Sequence, residues 1–217
     1  ETVMPPILRL DIKKYHGESD VKAAYIEGLD SFAIKVASGF FNNPSIGLPS
    51  SNGLMILLDS ETGRLKSVLL DKGYLTDIRT AIAGAIASKY LANSKVETLG
   101  IMGAGIQAKL QLEAFLLVRS PNKIKVWGRD SVKVKKFVDD FNHRLNIEYC
   151  VSAEELVISS NVVITTTPSD KPLIKNDWLK KGMHITAMGS DAGHKNELDP
   201  LIIKNCDIYV PDSQAQT

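Results

Sequence analysis

Two periodicities run along this chain. Before Leu75 apolar and polar residues alternate in short stretches, the period of two that predicts half-buried strands. Ile7 to Ile12, Val21 to Ile26 and Ser31 to Ala37 read this way. Leu54 to Leu58 and Leu65 to Leu70 flank the turn-like cluster Ser60-Glu61-Thr62-Gly63 and predict a hairpin. Ser38 to Asn52, with Gly39, Pro44, Gly47 and Pro49, predicts a long loop. Leu75 to Leu91 predicts a helix, with Thr76 as its cap and Asp77 at the positive end of its dipole. Its small residues Ala81, Ala83, Gly84, Ala85 and Ala87 predict close packing on a neighbour.

From Val96 strand and helix alternate. Strands are expected at Val96–Met102, Ile124–Trp127, Ile147–Val151, Val162–Thr166, His184–Met188 and Ile208–Val210. Helices are expected at Ile106–Val118 and Val132–Arg144, and a capping box over Ser152 to Glu155 opens a short one. Such alternation predicts an α/β fold, a doubly wound parallel sheet of Rossmann type covered by helices, after an α+β N-terminal part. The domain boundary is expected at 93/94, giving domains 1–93 and 94–217.

Composition changes this picture little. The chain has 217 residues, 44% hydrophobic and 24% charged, an ordinary globular balance. The formal net charge of +1 gives no general electrostatic case for nucleic acid or an anionic membrane. No apolar run approaches the roughly 20 residues of a membrane span. The two cysteines, Cys150 and Cys206, have no metal-ligand spacing, and no metal site is expected. A cytoplasmic protein is the expectation. The start at Glu1 and the polar end Ser213 to Thr217 read as a piece of a longer polypeptide.

The chemistry concentrates in a few places. Gly103-Ala104-Gly105-Ile106-Gln107-Ala108 has the form G-x-G-x-x-A between an expected strand and helix. Gly103 permits the turn, Gly105 lets backbone approach a pyrophosphate, and Ala108 lets helix and strand pack closely. The next strand ends at Trp127-Gly128-Arg129-Asp130, where Asp130 favours the ribose of NAD and Arg129 the 2′-phosphate of NADP. Thr166 and Thr167 close the fourth strand, where such folds contact cofactor. Lys35 lies on a strand face between Ala33 and Ala37, which leaves room for a ligand beside its ammonium. Arg79 is expected in the first helical turn, where it opposes the dipole unless an anion such as a carboxylate binds there. Asp191, after the fifth strand, is a candidate proton donor, acceptor or electrostatic partner, with His194 and Lys195 nearby.

Together these residues resemble the ornithine cyclodeaminase/µ-crystallin family. The matching stretches are Met4-Pro5-Pro6, Phe32 to Val36, Leu75 to Ala81, Leu99 to Ala108, Thr166 to Ser169, and Gly189-Ser190-Asp191 with Lys195, Glu197 and Leu198. Gly28 to Lys35, Gly39 to Pro44 and the run from Gly189 to Glu197 look closest to its ectoine-utilisation and iminosuccinate-reductase branch. The resemblance implies a homodimer and a substrate and dimerisation domain built from both chain ends. It implies Lys35 and Arg79 at the substrate carboxylate and Asp191 as the catalytic aspartate. Thr80, Gly103, Gly105, Ile106, Gln107, Arg129, Asp130, Thr166, Thr167 and Ser190 then form the set for NAD or NADP. Many members carry an arginine directly after the Pro-Pro pair, where this chain has Ile7; Arg9 is the candidate substitute, since on a strand it faces the same way. Three functions follow. The first is NAD(P)H-dependent reduction of a small 2-imino acid, with Arg9 or His194 available to a second carboxylate. The second is ornithine cyclodeamination to proline with bound NAD, which the Ile7 departure disfavours. The third is non-enzymic binding of NADP and a small ligand.

Overall fold

The computed structural model describes residues 1–190, 193 and 195–211. The chain divides into two compact units, Glu1–Arg79 and Thr80–Thr217.

The first unit is an antiparallel sheet of strands β1 (Thr2–Val3), β2 (Leu8–Ile12), β3 (Gly17–Ile26), β4 (Ser31–Phe40), β5 (Ser51–Asp59) and β6 (Leu65–Leu69). Strands β3, β4, β5 and β6 lie in sequence order. The long β3 takes β1 at one end (Thr2↔Ile26) and β2 at the other (Leu8↔Val21). Pro5 and Pro6 fall between those two pairings, since proline has no N–H for the ladder. Asp59 fixes the β5–β6 turn: its Oδ1 accepts from Glu61 N, Thr62 N and Thr62 Oγ1, which holds its carboxyl down at about 2. The expected loop over Ser38 to Asn52 is shorter than its composition predicts. Its ends join the ladder through Ser38↔Asn52 and Gly39↔Ser51, and Asn43–Ile46 forms a 3-10 turn. Glycine at 17 makes room for the Phe40 ring opposite, where an added Cβ would sit 2.5 Å from Phe40 Cε1.

Helix α1 (Tyr74–Leu91) begins earlier than Thr76 predicts. Asp71 Oδ2 accepts from Leu75 N at 2.6 Å, so Asp71 does the capping and Thr76 lies inside the first turn. Arg79 consequently falls in the second turn, where the dipole has faded. The conflict expected between Arg79 and the helix end is therefore not the relevant one.

The second unit holds a five-stranded parallel sheet, in the order β11 (His184–Ala187), β10 (Val162–Thr165), β7 (Thr98–Met102), β8 (Lys123–Trp127), β9 (Ile147–Tyr149). Helices α2 (Ile106–Leu116), α3 (Ser131–Phe141), α4 (Ala153–Ser159) and α5 (Pro200–Asn205) cover it. Period-two alternation sends side chains to two cores. Leu99, Ile101, Val126 and Ile164 pack with Leu112, Phe115 and Phe137; Met102 and Val163 pack on the other face with Leu156 and Ile202. Gly100 lets α4 approach β7, because a Cβ there would sit 2.7 Å from Leu156 Cδ2. The small face of α1 packs as its composition predicts: Ala81 and Ala85 cluster with Ala114, and a Cβ on Gly84 would meet Gln111 Oε1 at 2.1 Å. The strand expected at Ile208–Val210 does not form. Ile208 and Val210 are exposed, and the segment has no ladder partner among the described residues.

Candidate functional site

The strand–turn–helix passage from β7 to α2 has the shape a dinucleotide requires. Gly103 adopts φ +121°, a conformation that favours glycine, and a Cβ there would lie 2.4 Å from Thr166 Oγ1. The turn is held by Gly103 N donating to Trp127 O and by Thr166 N donating to Met102 O. Gly105 caps α2 with extended backbone and no side-chain hydrogen bond, and its missing Cβ faces open space. The first amides of α2 follow an N-cap, Gly105, that itself contributes no side-chain hydrogen bond, and a helix N-terminus of this kind suits a pyrophosphate. Ala108 is fully buried against the sheet. Main chain and glycines here suit a dinucleotide: the space beside Gly105 is open and Gly103 makes the turn.

The end of β8 separates the two cues for the cofactor. Asp130 Oδ1 accepts from Val132 N and Lys133 N at 3.1 Å each and so caps α3. Arg129 is exposed and forms no ion pair among the described residues. One oxygen of Asp130 is therefore engaged by its helix, while its other oxygen and the Arg129 guanidinium stay exposed at the strand end.

Thr166 and Thr167 follow β10, and Gly189 and Ser190 follow β11. Thr166 Oγ1 donates to Met102 O at 3.2 Å. Thr167 donates from both N and Oγ1 to Glu197 Oε1, at 2.7 Å each. Thr80 O, on α1, accepts from Gln111 Nε2. Asp191 and His194 lie outside the described residues. A concavity of about 520 Å³ lies elsewhere, lined by Val96, Leu117, Arg119 and Asn122 at the opposite, N-terminal ends of β7 and β8. Parallel sheets bind ligands at the carboxyl ends of their strands, so the glycine turn is the better candidate.

In the first unit, Lys35 sits on β4 directly opposite Lys22 of β3 and Met55 of β5. Residues opposed in this way share a sheet face, so two ammonium groups meet across the strands. Burial, then the charges of Arg79 and Lys22, push the Lys35 pKa down to about 8 against the weaker opposite pull of Asp20 and Asp71. Lys35 and Arg79 form no ion pair among the described residues. Arg9 shares this face but is engaged: it pairs with Asp11 at 3.1 Å, with Glu18, and with Asp20 at 3.8 Å. Among the described residues Lys22 forms one ion pair, with Asp20 at 3.7 Å. Sequence reading missed Lys22, because register across strands is not written in either strand alone. It also assigned no role to Glu197, whose carboxylate is fully buried. Burial pushes the Cys150 thiol up to about 11, which disfavours the thiolate.

A model of the Ornithine cyclodeaminase/mu-crystallin family matches residues 1–217. The chain is 51% identical over 218 residues to the Uncharacterized cyclodeaminase y4tK of Sinorhizobium fredii, covering 99% of this chain and 65% of that protein. It is thus similar to somewhat under two thirds of a longer relative. An archaeal alanine dehydrogenase dimer solved with bound NAD superposes with a TM-score of 0.86 at 35% identity, over 94% of this chain and 62% of that one. The iminosuccinate reductase of Paracoccus denitrificans in complex with NAD⁺ gives 0.85 at 28% identity, over 99% and 66%.

Proposed function

Because this chain belongs to the ornithine cyclodeaminase/mu-crystallin family, we propose that it is part of an NAD(P)H-dependent enzyme that reduces a small 2-imino acid to the amino acid. The observation that carries this reading is the pair Lys35 and Arg79: two neighbouring cations, one half-buried, with no carboxylate paired to either among the described residues. An anionic ligand relieves that repulsion, and a substrate carboxylate is the natural one. The glycine turn of the second unit supports the cofactor half of the reading.

Residues of the chain then divide the work. Arg79 and Lys35 hold the 2-carboxylate and orient the imine carbon. When bound, the reduced nicotinamide supplies hydride to that carbon. Asp191 stabilises the protonated imine nitrogen. Main-chain amides at Gly105, Ile106 and Gln107 hold the pyrophosphate, and Arg129 meets the adenosine ribose side. A second substrate carboxylate, as in an iminosuccinate-like compound, finds its cation in Lys22, which has one long ion pair to Asp20 among the described residues, rather than in Arg9, which has three. The proposal includes a homodimer, in line with the dimeric archaeal relative, and a cytoplasmic setting, in line with two unpaired cysteines. Among the described residues no helix is long and apolar enough to cross a membrane.

The test is nicotinamide absorbance with the intact protein, NADH or NADPH, ammonia, and glyoxylate, pyruvate or oxaloacetate in turn. Oxidation with one oxo acid is expected, and Asp191→Asn is expected to abolish it while nucleotide still binds. The name of the Sinorhizobium relative, a cyclodeaminase, is in line with a second reading, cyclodeamination; with ornithine as substrate, bound NAD would take a hydride and return it. Proline formed from ornithine, with no oxidation in the first assay, would overturn the reductase in its favour.

A further inference from the structure

Glu197 is 0% exposed, yet its carboxylate forms no salt bridge with any cation among the described residues. Burial of a charge is tolerated only when its lone pairs are satisfied. Here uncharged donors do this. Thr165 Oγ1 and Gly189 N reach Oε2 at 2.6 and 2.9 Å. Thr167 N and Oγ1 reach Oε1 at 2.7 Å each. The main chain adds further bonds: Glu197 N donates to Ser190 Oγ at 3.2 Å, and Glu197 O accepts from Leu173 N at 2.8 Å and Ile174 N at 3.2 Å.

Among the described residues the carboxylate's own bonds run to two segments, 165–167 at the end of β10 and Gly189 after β11. The segments are already in close contact, since a Cβ on Gly189 would lie 2.1 Å from Thr167 O. One carboxylate therefore ties together two adjacent carboxyl ends of the parallel sheet, where such folds hold their ligands. A spacer that only filled volume would need no charge. A group that fixes two loops relative to each other does need several strong acceptor sites, and an ionised carboxylate supplies them.

We propose that Glu197 is a positioning residue for the nucleotide: it locks Thr166 and Thr167 against Gly189 and Ser190, so that both strand ends present a fixed surface to the cofactor. This rests on the nucleotide-binding part of the function proposed above.

The test measures NADH and NADPH affinity of the intact protein by fluorescence titration, well below the melting temperature of each variant. Glu197→Gln keeps the volume but turns an amide donor toward existing donors. Its dissociation constant for nucleotide is expected to rise about tenfold or more. Thr165→Val removes one donor and no expected cofactor contact, and a rise of roughly threefold is expected. A merely structural role would lower the melting temperature and leave the folded protein's affinity at the wild-type value; that result in either variant overturns the proposal. If Glu197→Gln does not fold, Thr165→Val decides. Wild-type protein that binds neither nucleotide would overturn the nucleotide-binding reading itself, and this proposal with it. That result is distinct from wild-type binding that the variants leave unchanged.

Discussion

Lys35, proposed here for the substrate carboxylate, sits in the sheet at a cost to stability. Its folded pKa lies near 8, below the ordinary 10.5. Between those values the unfolded chain binds more protons than the folded one, so stability rises with pH across that window. Below pH 8 the charged form is a burden on the sheet. Lys35→Met should therefore raise the melting temperature at neutral pH while weakening carboxylate binding, a combination that calorimetry and ligand titration can check together. A carboxylate needs the protonated form, so in the wild type its affinity should be flat at low pH and fall as pH passes through about 8. An affinity that rises with pH would remove Lys35 from the site. Arg129 gives a second test. Arg129→Ala should weaken NADPH about tenfold while NADH changes little, because only the former offers a 2′-phosphate to the guanidinium.

At the scale of elements, the β7–turn–α2 unit was legible in advance because its requirements are local. Gly103 must turn, Gly105 must stay open, and Ala108 must be small, all within six residues of one another. Gly103→Ala is expected to destabilise by about 1–3 kcal/mol from backbone strain alone and to lose nucleotide binding, read by chemical denaturation and fluorescence. Other features were not legible because their partners lie far away in sequence. Lys22 faces Lys35 only through the β3–β4 register. Glu197 meets Thr167 thirty positions back. The helix cap was misread for a related reason: Thr76 satisfies the local rule, but Asp71 reaches the amide of Leu75 first. Ile208 to Val210 has strand composition and no strand beside it, and composition alone does not supply a ladder partner.

In the molecule as a whole the two units differ in how they are held. The second has continuous cores on both sheet faces, and Leu112→Ala there should cost roughly 2–5 kcal/mol in urea unfolding. In the first, Gly73 is the one fully buried residue among those described. Leu8, Leu10 and Leu65 on its apolar face are each more than half exposed. Residues 1–79 produced alone should therefore fail to show a cooperative thermal transition, whereas residues 80–217 should show one. A sharp melting curve from the first fragment would contradict this.

The open face of Gly105 has a consequence on an evolutionary timescale. Main-chain amides make up the proposed nucleotide grip, and no codon change removes an amide except one to proline. The cations proposed for the substrate are side chains on a half-open sheet, and single nucleotide changes can replace them. A lineage built on this plan would keep its redox partner while its choice of amino acid drifts.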